Sequence, residues 1–258
     1  MNRRDFLKTL SAGAFSLALP SVSRPDTAKK SNVLFIAIDD LRDTVGCLGD
    51  KIAITPNMDK LANEGTVFLN AYCQQAVCNP SRASVITGRR PDTLNVWDLK
   101  THFREHHPDI VTLPQYFRQH GYYTQSFGKV LHGQGAPSTD PPSWSVEPVW
   151  DHCTKRDQYV LPENQPEENS GKQAAAECAD VPDEAYVDGK GAAKAMKKIQ
   201  ELAENEHAFF LAVGFRKPHL PCAAPKKYWD LYDRKTFENE RWPALDRPND
   251  GPDIALHD

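Results

Sequence analysis

Four groups of residues in this 258-residue chain have types and spacings that suit chemistry. Asp39-Asp40 follows one apolar run, residues 128–132 (Gly-Lys-Val-Leu-His) follow another, and residues 216–219 (Arg-Lys-Pro-His) follow a third. Two adjacent carboxylates repel each other unless a cation or a solvent-exposed turn relieves them. Hard oxygen ligands suit Ca²⁺ or Mg²⁺. Taken alone, the aspartate pair also fits an ordinary turn with a helix cap.

The fourth group is Cys78-Asn79-Pro80-Ser81-Arg82. Pro80 and the residues after it predict a short helix over 80–87 that Gly88 ends. Cys78 should then lie just before a helix N-terminus, where free N–H groups and the helix dipole favour an anionic group. The alternative is a buried cysteine with a purely structural role.

Apolar runs and helix signals alternate between these groups. Residues 32–38 predict a strand buried on both faces, as in a parallel sheet. Further strands are expected at 66–71, 122–127 and 208–213, and helices at 56–64, 114–120 and 183–204. Residues 135–182, rich in polar residues and Pro, predict a long surface excursion.

This alternation predicts an α/β fold with a mostly parallel sheet flanked by helices. In such sheets ligands bind at the carboxyl ends of the strands. The clusters at 39–40, 128–132 and 216–219 should therefore meet at one edge.

The net charge and the N-terminal residues indicate which partners and which cellular location to expect. A net charge of -4 gives no basic footprint, so nucleic acid is not an expected partner. Residues 3–8 form a twin-arginine pattern before a short apolar run, so residues 1–23 are interpreted as a twin-arginine signal peptide and 24–31 as a linker. This predicts the export machinery as a partner and a periplasmic or secreted protein, with no run long enough for a permanent membrane span. Among six cysteines, Cys153 with Cys178 is a candidate disulfide.

The cysteine motif resembles the signature of the formylglycine-dependent sulfatases, in the alkaline-phosphatase-like superfamily. In that family a maturation enzyme oxidises the cysteine to Cα-formylglycine. Asp39-Asp40 resembles the family's N-terminal metal pair, and residues 87–89 resemble the turn after the signature helix. Residues 128–132 resemble the family's Gly-Lys-x-x-His segment, and Lys217-Pro218-His219 is similar to the Lys-Pro-His segment of the iduronate-2-sulfatase-like branch. The resemblance runs from about residue 32 to 228, so residues 32–258 are interpreted as the N-terminal portion of a sulfatase catalytic domain.

The resemblance implies hydrolysis of sulfate esters, with sulfated polysaccharides or oligosaccharides as the expected substrates. The hydrated aldehyde at position 78 would attack sulfur with one hydroxyl, and loss of the proton from the other would expel sulfate. A Ca²⁺ ion would be held by Asp39, Asp40 and the modified Cys78. Arg82 and Lys129 would hold the diol and the sulfate. Catalytic base and acid roles fall to His132 and His219, in either order, and Lys217 and His219 would bind substrate.

One departure from the family pattern leaves alternatives open. The further Asp with His or Asn that completes the family's metal site, and a second lysine, do not appear after His219. A cation that wants six to eight oxygens would be underfilled. The alternatives are a truncated, non-catalytic sulfatase fragment and a formylglycine-dependent phosphonate or phosphodiester hydrolase.

Overall fold

Strands and helices alternate along the chain in the computed structural model, which describes residues 30–133, 138–149, 154–166, 173–204 and 207–238. The strands are β1 (Val33–Ile38), β2 (Tyr123–Gly128), β3 (Ala176–Ala179), β4 (Phe209–Phe215) and β5 (Cys222–Pro225). The helices are α1 (Pro56–Glu64), α2 (Cys78–Thr87), α3 (Pro91–Leu94), α4 (Phe103–His106), α5 (Leu113–Gln119), α6 (Val187–Ala203), α7 (Lys226–Trp229) and α8 (Arg234–Glu238). Short 3₁₀ turns lie at Gly46–Leu48, Pro141–Ser143, Arg156–Gln158, Pro162–Asn164 and Asp183–Ala185.

The main sheet has three strands in the order β1-β4-β2, and both pairings are parallel. A smaller parallel pair joins β3 to β5. The prediction of an α/β fold with a parallel sheet is confirmed. All three strands of the main sheet end at the same edge, as parallel strands must.

Strand β4 lies at the centre of the sheet, and its side chains are buried on both faces. Phe210 and Ala212 pack into an apolar cluster with Ile86 of α2. Phe209, Leu211 and Val213 pack on the other face with Ala195 and Leu202 of α6. A continuous apolar run is what a strand covered on both sides requires.

The expectation that the first strand is buried on both faces is wrong for β1. Val33 and Phe35 pack against the cluster on the α2 side, but Leu34 and Ile36 are about half exposed. Side chains alternate between the two faces of a strand. Helix α6 packs against β2 and β4, so among the described residues nothing comparable covers the second face of β1.

The predicted strand over 66–71 is also absent, and Val67, Phe68 and Leu69 are exposed. A strand needs a hydrogen-bonding neighbour, and no described strand pairs with this segment. The predicted helix over 56–64 is confirmed with its stated bounds. Helix α5 begins at Leu113, before the predicted start, because Thr112 and Gln115 form a capping box.

The polar stretch expected as a surface excursion contributes to the core in several places. Ser143, Trp144 and Tyr159 are buried, and β3 lies within the stretch. Buried Glu177 accepts hydrogen bonds from the backbone of Val160 and Leu161. Trp144 joins the apolar cluster that contains Phe210, and β3 pairs with β5, so the stretch belongs to the domain and its composition alone was a poor guide. The predicted helix over 183–204 begins only at Val187, because residues Asp183–Ala185 form a 3₁₀ turn.

Three predictions involve residues that the structure does not describe. The signal peptide and nearly all of the linker lie outside the described residues, as does Cys153 of the candidate disulfide. Cys178 carries a free thiol. None of the described helices has the length and apolar character needed to cross a membrane.

Candidate active site

Cys78 is the first residue of α2 and lines a cavity of about 460 Å³ at the carboxyl edge of the main sheet. The helix begins two residues earlier than the sequence predicted, so Cys78 belongs to its first turn. Asp39, Asp40 and Arg82 line the same cavity. The cavity is therefore lined by a thiol and by charges of both signs.

The strand ends are held together by backbone hydrogen bonds to β4. Asp39 donates to the carbonyl of Phe215 at 3.0 Å, and Lys129 donates to the carbonyl of Gly214 at 2.9 Å. A Cβ atom on Gly214 would collide with the Lys129 carbonyl, and one on Gly128 would collide with the Gly214 carbonyl. Gly128 also has a positive φ of 64°. These two glycines allow β2 to deliver Lys129 beside β4.

Asp39 is the anionic centre of the site. Its side chain is 4% exposed and pairs with Arg82 at 2.8 Å and with the ammonium group of Lys129. Burial by itself would raise the pKa of Asp39, but the hydrogen bonds from Lys129 and Arg82 outweigh burial and hold the pKa below its usual value. Asp39 is therefore ionised at neutral pH.

Arg82 lies differently from the expectation that it reaches back to the group at position 78. Its guanidinium is buried and donates to Asp39 and to the carbonyls of Lys129 and Val130, at 2.5 and 2.9 Å. The fork geometry of arginine lets one side chain hold β1 and the end of β2 together. Arg82 therefore positions Asp39 and Lys129.

The Cys78 thiol lies 3.8 Å from the Lys129 ammonium. Burial raises the pKa of Cys78, Lys129 opposes this shift, and Asp39 and Asp40 add to it. The pKa remains above its usual value, so the unmodified residue is a protonated thiol at neutral pH. Thiolate is the nucleophilic form of cysteine, so the unmodified side chain is a poor nucleophile here.

His219 joins the site, whereas Lys217 does not. One ligand atom each from Asp39, Cys78 and His219 lies within 4.8 Å of the other two, and His219 Nε2 is 3.9 Å from Asp40 Oδ2. The Lys217 ammonium donates to the carbonyls of His219 and Pro221, at 3.0 and 2.5 Å. Lys217 thus stabilises the turn that carries His219, and its ammonium group is not directed into the site.

His132 is half-buried, and its Nδ1 atom finds no hydrogen-bond partner among the described residues. Burial lowers the pKa of His132, and the cations Lys129 and Arg82 lower it further. A neutral imidazole with a free nitrogen can accept a proton at neutral pH. This histidine is thus suited to act as a base.

Two positioning residues were missed in the sequence. The Asn79 amide donates to the carbonyls of Asp98 and Thr101, at 2.9 and 2.8 Å, and so attaches an exposed loop to the residue next to Cys78. Asp188, in the first turn of α6, accepts from the backbone N–H groups of Arg216 and Lys217 at 2.8 to 2.9 Å. Neither contact has a local sequence signal, because each joins segments distant in the chain.

Comparisons with known proteins identify relatives of this chain. The Sulfatase family model matches residues 31–247. Iduronate 2-sulfatase of Mus musculus is 39% identical over 238 residues, covering 89% of this chain and 42% of that protein. Iduronate 2-sulfatase of Homo sapiens is 40% identical over 210 residues, covering 80% of this chain and 38% of that protein. The chain thus spans less than half the length of these relatives.

A solved structure shares the fold. The phosphonate monoester hydrolase of Agrobacterium radiobacter superposes with a TM-score of 0.56 at 24% identity, over 79% of this chain and 44% of that chain. At this identity the likeness concerns the fold alone.

Proposed function

Because this chain belongs to the sulfatase family, we propose that it carries the nucleophile and anion-binding groups of a sulfuric ester hydrolase. The reaction is R–O–SO₃⁻ plus water giving alcohol and sulfate. The observation that carries this proposal is the position of the Lys129 ammonium, which contacts Cys78 and Asp39 at once. A cation beside the nucleophile is what attack on an anionic ester needs.

The side chains around the cavity divide the work by charge. Lys129 and His219 bind the sulfate oxygens as it approaches position 78. Arg82 keeps Lys129 and Asp39 in place through three hydrogen bonds from its guanidinium group. Preorganised donors of this kind stabilise charge in the transition state without reorganisation.

Proton transfer falls to the two histidines. His132 is neutral and has a buried nitrogen without a partner in the described part of the chain, so it accepts a proton. His219 is more exposed and lies near Asp40, so it protonates the leaving oxygen. The opposite assignment of the two roles is the alternative.

Oxidation of Cys78 to Cα-formylglycine is part of this proposal. The hydrated aldehyde supplies two hydroxyl groups on one carbon, one for attack on sulfur and one whose deprotonation releases sulfate. The raised pKa of the Cys78 thiol supports a need for this modification, since the thiol itself is a weak nucleophile. A formylglycine-generating enzyme is the implied partner.

The carboxylate oxygens at this edge are of the type that Ca²⁺ binds. Asp39 and Asp40 would hold it together with an oxygen of the modified residue 78, and it would polarise sulfate oxygens. Among the described residues these donors do not reach the six to eight oxygens that Ca²⁺ takes. Water or substrate oxygens would supply the others.

The proposed substrates are sulfated polysaccharides or their oligosaccharides. Two of the relatives are iduronate 2-sulfatases, and they cover most of this chain. Choline sulfate and aryl sulfates are alternatives. We also propose export through the twin-arginine pattern at Arg3 and Arg4, which predicts cytoplasmic retention of the double Lys variant in a cell-fractionation experiment.

Mass spectrometry of the tryptic peptide that contains Cys78, from a host with an active maturation enzyme, tests the nucleophile. We expect the mass of the aldehyde, and an unmodified thiol throughout would reject the mechanism. Hydrolysis of matched sulfate, phosphate and phosphonate esters by the matured protein tests the reaction class. Cys78→Ala should abolish sulfate ester hydrolysis and Cys73→Ala should retain it. A preference for phosphonate esters would favour the alternative hydrolase.

A further inference from the structure

We propose that Cys78, before its oxidation, forms with Asp39 and His219 a binding site for a thiophilic divalent cation, with zinc as the first candidate. One ligand atom of each residue lies within 4.8 Å of the other two. A sulfur, an imidazole nitrogen and a carboxylate oxygen are the three ligand types that zinc takes in proteins. This site differs from the proposed Ca²⁺ site, which relies on oxygen atoms and on the modified residue.

The spacing is close to what zinc requires. Zinc bonds of about 2.0–2.3 Å in a tetrahedral arrangement separate the ligand atoms by roughly 3.3–3.8 Å. The ligand atoms, now within 4.8 Å of one another, therefore have to approach by at most about 1.5 Å. Asp39 is fixed at the end of β1, but His219 is 38% exposed on a turn and can move with little loss of packing.

The histidine is already oriented as a ligand. His219 Nδ1 lies 2.6 Å from the carbonyl oxygen of Leu220, and a carbonyl only accepts, so Nδ1 carries the proton. With Nδ1 engaged by this carbonyl, Nε2, which lies 3.9 Å from Asp40 Oδ2, is the ring nitrogen left to bind a cation. Metal-bound histidines usually donate their second ring N–H to a carbonyl or carboxylate in the same way.

A positive charge already occupies the space between two of the ligands. The Lys129 ammonium contacts both Asp39 and the sulfur of Cys78. A divalent cation would displace this ammonium and bind the sulfur as thiolate, with release of the thiol proton to solvent. Thiolate selects zinc over calcium. Loss of the sulfur on oxidation would therefore remove this preference.

Bound zinc would therefore block access to the cysteine that the maturation enzyme oxidises. Zinc bound to the Cys78 sulfur would occupy the atom that oxidation removes. The thiol form would thus be protected until the metal leaves, whereas the aldehyde form would have no thiolate to offer. The proposal concerns only the thiol form, so it stands or falls separately from sulfate ester hydrolysis.

Cobalt(II) titration of the chain, purified under reducing conditions from a host without the maturation enzyme, tests the site. A thiolate ligand produces a charge-transfer absorption band in the near ultraviolet, and displacement of cobalt by zinc should abolish it. We expect the band in the unmodified protein and in Cys73→Ser, which removes a thiol lining the same cavity. Cys78→Ser should lack the band.

His219→Ala serves as the second variant, because its exposed position spares the core. We expect it to weaken cobalt binding at least about tenfold, while the far-ultraviolet circular dichroism stays unchanged. The proposal would be overturned by absence of the band in the unmodified protein, by its loss in Cys73→Ser, or by undiminished cobalt affinity in His219→Ala.

Discussion

The ammonium group of Lys129 lies 3.8 Å from the sulfur of Cys78, although 51 positions separate the two residues in the chain. The same ammonium pairs with Asp39 from a third segment. One cation thus connects the thiol of Cys78 to the anionic centre of the site.

Replacement of Asp39 should destabilise the protein strongly. Asp39→Asn removes the counter-charge of buried Arg82 and Lys129, and a buried cation without its partner costs about 3–5 kcal/mol. The free energy of unfolding from urea titrations measures the loss. Asp40→Asn is the matched control, because the Asp40 side chain is 53% exposed and should change stability by only about 0.5 kcal/mol. Equal losses in the two variants would contradict this account.

His132 should stay neutral at pH values at which an ordinary histidine is already protonated. Burial and the cations Lys129 and Arg82 lower its pKa from 6.5, so the unfolded chain binds a proton more readily than the folded one. Stability should therefore fall as the pH drops through 6.5. Proton NMR titration of the imidazole measures the pKa directly. Lys129→Met should raise the pKa of His132, and a titration at or above pH 6.5 in the unmodified protein would argue against the arrangement.

Loss of the Asn79 amide should release the loop next to Cys78. Asn79→Ala leaves the carbonyls of Asp98 and Thr101 without their donor, at a cost of about 1–3 kcal/mol. Hydrogen exchange of the backbone over residues 97–101 should become faster. Gln75→Ala is a milder control, because Gln75 makes one exposed hydrogen bond to the Trp97 carbonyl. Unchanged exchange in Asn79→Ala would show that other contacts hold the loop.

Asp188 should determine the position of the turn that carries His219. Asp188→Ala removes the acceptor for the N–H groups of Arg216 and Lys217, so their exchange with solvent should accelerate. The His219 imidazole resonances should shift in the same variant. Glu184→Ala, an exposed carboxylate in the preceding turn, should change neither. An unmoved His219 signal in Asp188→Ala would refute the positioning role.

Glu177 should contribute stability that is lost in acid. Burial raises the pKa of Glu177, but hydrogen bonds from Val160, Asn164, Tyr186 and Leu161 outweigh this and lower the pKa below 4.5. A depressed carboxyl pKa stabilises the folded state above the unfolded value, and this stability disappears as the pH falls below about 4.5. Thermal melts between pH 6 and pH 3 should therefore lose less stability in Glu177→Gln than in the unmodified protein. Identical pH slopes would reject the role of this carboxylate.

Much of the site was predictable because its residues belong to short sequence patterns, namely apolar runs that end in polar residues and a motif that begins a helix. Apolar runs followed by Asp39, Lys129 and the turn before His219 predicted parallel strands with polar ends, and parallel strands must end at one edge. The cysteine motif predicted a helix start near Cys78, and the structure places one there. These predictions depend only on the order of residue types along the chain.

The tertiary structure alone decided which partner each side chain takes. Arg82 reaches Asp39 instead of position 78, and Lys217 binds its own turn, because such contacts depend on distances between segments. Hydrophobicity also could not predict that one face of β1 is exposed or that residues 66–71 do not form a strand. An apolar run indicates only that burial would be favourable. Whether it is buried depends on the segments that pack against it, and these come from other parts of the chain. The sequence thus determined the chemistry present at the sheet edge, and the packing of distant segments determined its geometry.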